Sequence, residues 1–211
     1  MEAEKDLNQI ILRGTVETVP EFSHMSHQER FYLFPLSVER LSGNRDVLNI
    51  QLPGKLLDKT ALTAGEEVEV RGSLRTFNNR SGVGARLVIT VLAESVIPTG
   101  EPHANLLTLK GTICRLGEVR RTPLGREICD FTLAVNRRYG RSDYLPCIAW
   151  GSLAQRCARL GVGSRLSLDG RLQSRGYTKQ FADHAEERVA YECSAMALEP
   201  EGLEALLVPH T

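Results

Sequence analysis

Four aromatic residues in the second half of the chain, Tyr139, Tyr144, Trp150 and Tyr177, lie among arginines. A flat ring offers a face on which a nucleobase can stack, and a guanidinium fork fits a phosphate, so the combination suits an unpaired polynucleotide strand. The charge distribution points the same way. Residues 110–180 hold fourteen Lys and Arg against five acids, a local balance of +9, and twelve of the fourteen are Arg. Residues 1–100 balance at −2 and residues 181–211 at −6, so a whole-chain charge of zero hides a basic segment. Local potential rather than total charge is what concentrates a polyanion.

These residues need elements to position them, and the chain contains two copies of the same set. At a shift of 97, Asn8 falls on Asn105, Gly14 on Gly111, Phe34 on Phe131, Leu36 on Leu133, Val38 on Val135 and Leu48 on Leu145; after a one-residue slip, Gly65 meets Gly163 and Gly72 meets Gly170. A period this long means two whole domains. The stacking candidates are not repeated: Ser42, Val47, Pro53 and Asn79 stand where the second copy has Tyr139, Tyr144, Trp150 and Tyr177.

Apolar residues alternate with period two, which predicts strands. In copy two the alternating sets are Leu107 and Leu109; Cys129 to Val135; Leu145, Cys147 and Ala149; Leu166, Leu168 and Leu172; and Val189, Tyr191 and Cys193. A short helix is expected between the third and fourth, opened by Ser152-x-x-Gln155 as a cap. Copy one repeats the order, with a helical turn over 56–62. Five strands with a helix between the third and fourth is the order of the OB-fold, so the expected class is all-β, two tandem five-stranded OB barrels. The expected boundaries are 8–97 for the first domain, 98–104 for a Pro- and Gly-containing linker, 105–198 for the second and 199–211 for a short tail. Thr122-Pro-Leu-Gly125 suits a type I turn between strands one and two of copy two, and residues 78–82 form a polar break in copy one.

On strand three of copy two, Leu145, Cys147 and Ala149 are expected inward, which turns Tyr144 and Trp150 to the outer face about 20 Å apart. On strand four, inward Leu166, Leu168 and Leu172 leave Arg171, Gln173, Arg175 and Tyr177 facing out. Phosphate contacts are expected from Arg121, Arg126, Arg137, Arg138, Arg141, Arg171, Arg175 and Lys179. In copy one, Phe77, Arg75 and Arg80 supply some binding capacity, opposed by Glu66, Glu67 and Glu69.

Other chemistries find little support. There is no G-x-S-x-G, phosphate-binding glycine loop, H-E-x-x-H or Cys/His nucleophile pair, so no enzyme is expected. All five cysteines are in the second half without a C-x-x-C pair and are read as reduced, mostly buried thiols. His24-x-x-His27 is expected in a solvated loop with no metal, and no cofactor is expected. No apolar run approaches 18 residues and the start MEAEKDLNQ is charged, so the expected location is the cytoplasm.

The runs Asp130-FTLAVNRRY-Gly140, Leu145-PCIAWGSLAQ-Arg156 and Asp169-GRLQSRGYTK-Gln180 resemble bacterial single-stranded DNA-binding proteins of the OB-fold type, over nearly all of 105–198. The resemblance implies base stacking at Tyr139, Tyr144, Trp150 and Tyr177. It also implies a part in replication, recombination or repair, and assembly of four OB domains, which two per chain would reach as a homodimer. Copy one is similar to the leading domain of tandem proteins of this type and to primosomal OB relatives. The family's long tail with an acidic Pro-Phe tip has no match in Leu207-Val-Pro-His-Thr211, though acids between 183 and 204 are present, and three of the four stacking positions are Tyr where the family commonly has Trp. The expected function is therefore sequence-independent binding of single-stranded DNA by copy two, with copy one as built-in assembly partner. The alternatives are a protein-interaction module of a primosome and a binder of single-stranded RNA.

Overall fold

The computed structural model describes residues 5–79, 85–180 and 184–201. Arg80, most of the 78–82 break, Asp183, Glu204 and the end of the tail lie outside them. Copy one runs β1 (Leu7–Val16), β2 (Glu21–Ser26), β3 (Glu29–Glu39), β4 (Arg45–Pro53), α1 (Gly54–Leu57), β5 (Glu67–Asn78) and β6 (Leu87–Pro98). Copy two runs β7 (Ala104–Arg121), β8 (Glu127–Asn136), β9 (Ser142–Trp150), α2 (Ser152–Ala158), β10 (Arg165–Gln180) and β11 (Ala185–Pro200).

In copy two the hydrogen-bonded order β7–β8–β9–β11–β10 closes on itself, because β10 also pairs with β7 from Leu166↔Gly111 to Gly170↔Leu107. In copy one β1 pairs with both β3 and β5, and β3–β4–β6–β5 completes the ring. In each ring the third strand meets the last in parallel, Cys147 opposite Cys193 and Ile50 opposite Val91. Both copies are OB barrels with the expected helix after the third strand, and closure removes the free edges an open sheet would expose.

The predicted inward sets fill the two interiors. Leu109, Leu133, Leu145, Leu166 and Leu168 are fully buried in copy two, as are Leu12, Leu36, Leu48, Ile50 and Leu74 in copy one. Each such side chain contributes about 1.5–3 kcal/mol by leaving water. The repeated glycines mark where strands cross too closely for a side chain. A Cβ on Gly14 would stand 2.3 Å from the Ser37 carbonyl oxygen, and one on its counterpart Gly111 2.5 Å from that of Ala134.

Four details depart from the sequence reading. Copy one has six strands, because Glu17–Pro20 interrupts its first strand and β2 continues it as a hairpin with β3. That hairpin turns on His27 and Gln28, both left-handed (φ 49° and 63°), as a two-residue turn between twisted strands requires. In copy two the equivalent strand stays whole as β7, with register shifts between Ile113/Arg115 and Leu116/Val119. His24 consequently lies on β2 rather than in a loop. Helix α2 has no side-chain cap: the Gln155 amide donates instead to Glu127 at 2.8 Å, so the Ser-x-x-Gln pattern is not a capping box. On β11 the buried set is Cys193, Ala195 and Leu198, while Val189 is 46% exposed, because the chain before Glu192 has left the barrel. The predicted turn at Thr122–Gly125 forms, with the Gly125 amide donating to the Thr122 carbonyl at 2.8 Å.

The chain folds into two compact units that exchange segments. One comprises Met1–Asn8, Leu107–Leu172 and Glu192–Thr211, and the other Gln9–Leu106 and Gln173–Tyr191. In the first, Asp6 accepts the Asn136 amide and the Arg165 guanidinium, both at 2.7 Å. In the second, His103, which a shift of 97 matches to Asp6, accepts the amide of Glu39, the counterpart of Asn136, at 2.9 Å.

Candidate nucleic-acid interface

Antiparallel pairing of β8 with β9 sets the site's geometry. Cys129, Phe131, Leu133 and Val135 lie opposite Ala149, Cys147, Leu145 and Asp143 on the inner face. Strand alternation therefore puts Ile128↔Trp150, Asp130↔Ile148, Thr132↔Pro146 and Ala134↔Tyr144 together on the outer face. Trp150 is half-buried and Tyr144 is 53% exposed, as their phase on β9 predicted. An open groove of about 520 Å³ adjoins this face, lined by Arg115, Arg120, Asp130, Thr132, Pro146 and Glu192, with Phe131 and Cys147 also reaching it. The irregular stretch of β7 at Leu116–Val119, where the strand loses step with β8, supplies Gly117, Glu118 and Val119 to its lining. The sequence reading missed this groove and Arg115, because a β-bulge leaves no clear trace in apolar spacing.

Tyr139 sits in the turn between β8 and β9 with φ at 70° and is 98% exposed, a ring held clear of the barrel. The same turn carries Arg137, Arg138 and Arg141, and here the arginines divide. Arg137 makes a two-pronged pair with Asp143, its Nε 2.6 Å from Oδ2, and the carboxylate is fully buried. Its counterpart Arg40 makes the same pair with Asp46, Nε to Oδ2 at 2.6 Å, so a position the sequence assigned to phosphate ties down the turn in both copies. Arg138 and Arg141 are exposed and, among the described residues, unpaired, as is Arg126. Arg121 pairs loosely with Glu127 at 3.4 Å. The Gln155 amide and the Arg121 guanidinium together hold the Glu127 carboxyl below the usual carboxylate range.

On β10 the outward stripe is only partly present. Arg175 is exposed and Tyr177 half-exposed, but Gln173 is 8% exposed and Arg171 is half-buried with its Nε shielded from solvent. Beyond Leu172 the hairpin of β10 and β11 packs with the copy-one unit instead of continuing as a free surface. There Ser174 donates its amide (2.7 Å) and hydroxyl (3.0 Å) to Asp46, and the Tyr191 hydroxyl accepts from Asn49 and donates to the Val47 carbonyl, each at 3.2 Å. Burial raises the Asp46 pKa, but Arg40 and Ser174 outweigh it and hold the carboxyl below its ordinary value. The candidate residues thus fall into two groups. Tyr139, Tyr144, Trp150, Arg121, Arg126, Arg137, Arg138, Arg141 and Arg171 belong to one unit; Arg175, Tyr177 and Lys179 belong to the other.

In copy one, Glu69 is engaged internally, with Arg13 and Arg71 each 2.7 Å away and holding its carboxyl low. The aromatics of β2 and β3 were also missed. His24 stacks on Phe31 with ring centres 5.1 Å apart and planes at 12°, and Phe22 meets Tyr32 edge-on at 5.9 Å. A position-by-position repeat match does not reveal this cluster, because Pro53, not an aromatic, stands at the counterpart of Trp150. The thiols are free: Cys129, Cys147, Cys157 and Cys193 are buried and Cys114 is exposed. Among the described residues no group of His, Cys, Asp or Glu could hold a metal ion, and no helix is long and apolar enough to cross a membrane.

Comparison with known proteins gives this geometry a context. Residues 104–199 match the single-strand binding protein family. A single-stranded DNA-binding protein of Halalkalibacterium halodurans is 36% identical over 110 residues, 46% of this chain and 62% of that one. Single-stranded DNA-binding protein A of Bacillus subtilis is 37% identical over 83 residues, 36% of this chain and 48% of that one. The chain thus spans roughly half to three fifths of these relatives' length. The wild-type single-stranded DNA binding protein of Thermus aquaticus resembles it in fold, with a TM-score of 0.77 at 24% identity over 94% of both chains.

Proposed function

We propose, on the match of residues 104–199 to the single-strand binding protein family, that the chain binds single-stranded DNA without sequence preference in replication, recombination or repair. The observation that carries this reading is the outer face of β8 and β9, which presents Trp150 and the 53% exposed Tyr144, with a groove of about 520 Å³ reaching Asp130, Thr132 and Pro146 of those strands and lined by Arg115. Bases stack on Trp150, Tyr144, Tyr139 and Tyr177, and exposed guanidinium groups meet the backbone. Stacking is indifferent to base identity because every base has a flat face, so the mechanism predicts tolerance of sequence. It needs no bond-making residue. With two barrels in each chain, a homodimer presents four.

The deciding experiment is Trp150→Ala in a fluorescence-anisotropy titration with oligo-dT. Loss of one stacked base costs about 1–3 kcal/mol, or roughly fivefold to 150-fold in Kd. The outward position of the ring means that the melting temperature should hardly change. Unchanged affinity would favour a surface that docks protein instead. Oligo-U competing as well as oligo-dT would move the substrate to RNA, and sedimentation of the full chain measures the number of barrels per particle.

A further inference from the structure

We propose that copy one carries a base-stacking surface of its own, made by His24 stacked on Phe31 and by Phe77, each displaced by a short step from the ring position of copy two. The inference rests on the DNA-binding reading above. Matched one for one, Trp150 corresponds to Pro53 and copy one looks empty. Strand register changes that conclusion. On the outer face Trp150 lies directly opposite Ile128, and the matching pair in copy one is Pro53 opposite Phe31. Each copy therefore has one aromatic in this cross-strand pair, on the third strand in copy two and on the second in copy one. Directly opposed residues share a face and stand about 5 Å apart, so the two rings serve the same patch of the barrel.

His24 extends the patch. It lies opposite Phe31 on β2, its ring nearly parallel to the phenyl ring, and it is exposed, so its outer face is open to a further flat group. Phe77 makes the same kind of move along a strand. It precedes Asn79, the counterpart of Tyr177, by two residues, and a step of two keeps the face. Phe77 is 52% exposed. Between the two aromatic positions the same face carries a polar link, the Thr90 hydroxyl donating to Gln51 at 3.2 Å. A buried structural core would not leave an exposed imidazole on a phenyl ring and a half-bare phenylalanine on the face that its twin uses for Trp150.

The test uses the full chain. In a Trp150→Ala/Tyr177→Ala background, adding His24→Ala/Phe31→Ala should weaken the remaining oligo-dT affinity at least about fivefold, with the far-UV dichroism spectrum retained. An oligo-dT carrying 5-iodouracil should photocross-link to the peptide containing Phe31 in the unaltered chain, a readout that loss of stability does not imitate. If Phe31→Ala fails to fold, His24→Ser and Phe77→Ala, both at exposed rings, carry the same comparison. Unchanged residual affinity, with cross-links confined to residues 105–198, overturns the inference and leaves the copy-two reading standing. Failure of the unaltered chain to bind oligo-dT overturns both.

Discussion

Salt dependence of strand binding should separate the arginines that reach phosphate from those spent on the protein. Eight basic residues of copy two were candidates from sequence. In the structure Arg137 is bound to Asp143, Arg121 leans on Glu127 and Arg171 is half-buried, whereas the exposed guanidinium groups of Arg126, Arg138, Arg141 and Arg175 have no partner among the described residues. Each phosphate neutralised on a single strand contributes about −0.7 to the slope of log K against log salt, so these four with Arg115, exposed in the groove, give about −3.5. Between 50 and 200 mM salt that is an affinity loss of about 130-fold. Arg138→Ala/Arg141→Ala should lower the slope to about −2.1, read by anisotropy titrations of oligo-dT across a KCl series. Arg137→Ala should lower the melting temperature while leaving the slope near −3.5. If Arg137→Ala flattened the slope as much as the double substitution does, or if the unaltered chain showed no slope, the division drawn from the ion pairs would be wrong.

Other outcomes follow from the same contacts. Asp46→Asn should destabilise the copy-one unit by about 3–5 kcal/mol, because Arg40 loses the charge that balances it; urea melts measure this. Since the Asp46 carboxyl is held low in the folded state, its contribution is complete above about pH 4 and disappears as pH falls through the folded value, so Asp46→Asn should flatten the acid limb of the stability profile. Gly170→Ala would place a Cβ 2.1 Å from the Ser194 carbonyl oxygen, and forcing β10 off β11 should cost about 1–3 kcal/mol in a thermal melt. A thiol reagent such as DTNB should modify Cys114 alone in the native chain and all five cysteines in denaturant, because the other four are buried and burial pushes Cys157 up to about 12.

Much of this fold was legible because period-two alternation and close-contact glycines are local signals. The inner faces of β3, β4, β8 and β9 came out residue by residue, and the outward phase of Tyr144 and Trp150 with them. What could not be read depends on partners distant in sequence. Nothing in the neighbourhood of Arg137 announces that Asp143 curls back to bind it; the clue was that Arg40 and Asp46 repeat the spacing. Gln173 and Val189 were misplaced because β10 and β11 run past their barrel, and a strand's own pattern does not record where its support changes. The aromatics of copy one escaped notice because a repeat comparison matches positions, whereas a surface is shared across strands: Phe31 and Pro53 are neighbours in space and 22 places apart in sequence.

The traded segments decide what dissection of this chain can achieve. A cut in the connector between the repeats would strand Asp6 on one fragment and Asn136 and Arg165, its ligands, on the other, while Ser174 and Tyr191 would leave with the wrong half. No single scission delivers either folding unit whole. Fragment studies therefore need grafts: residues 5–8 fused ahead of the later portion, and a donor for the Asp46 carboxylate engineered into the earlier one.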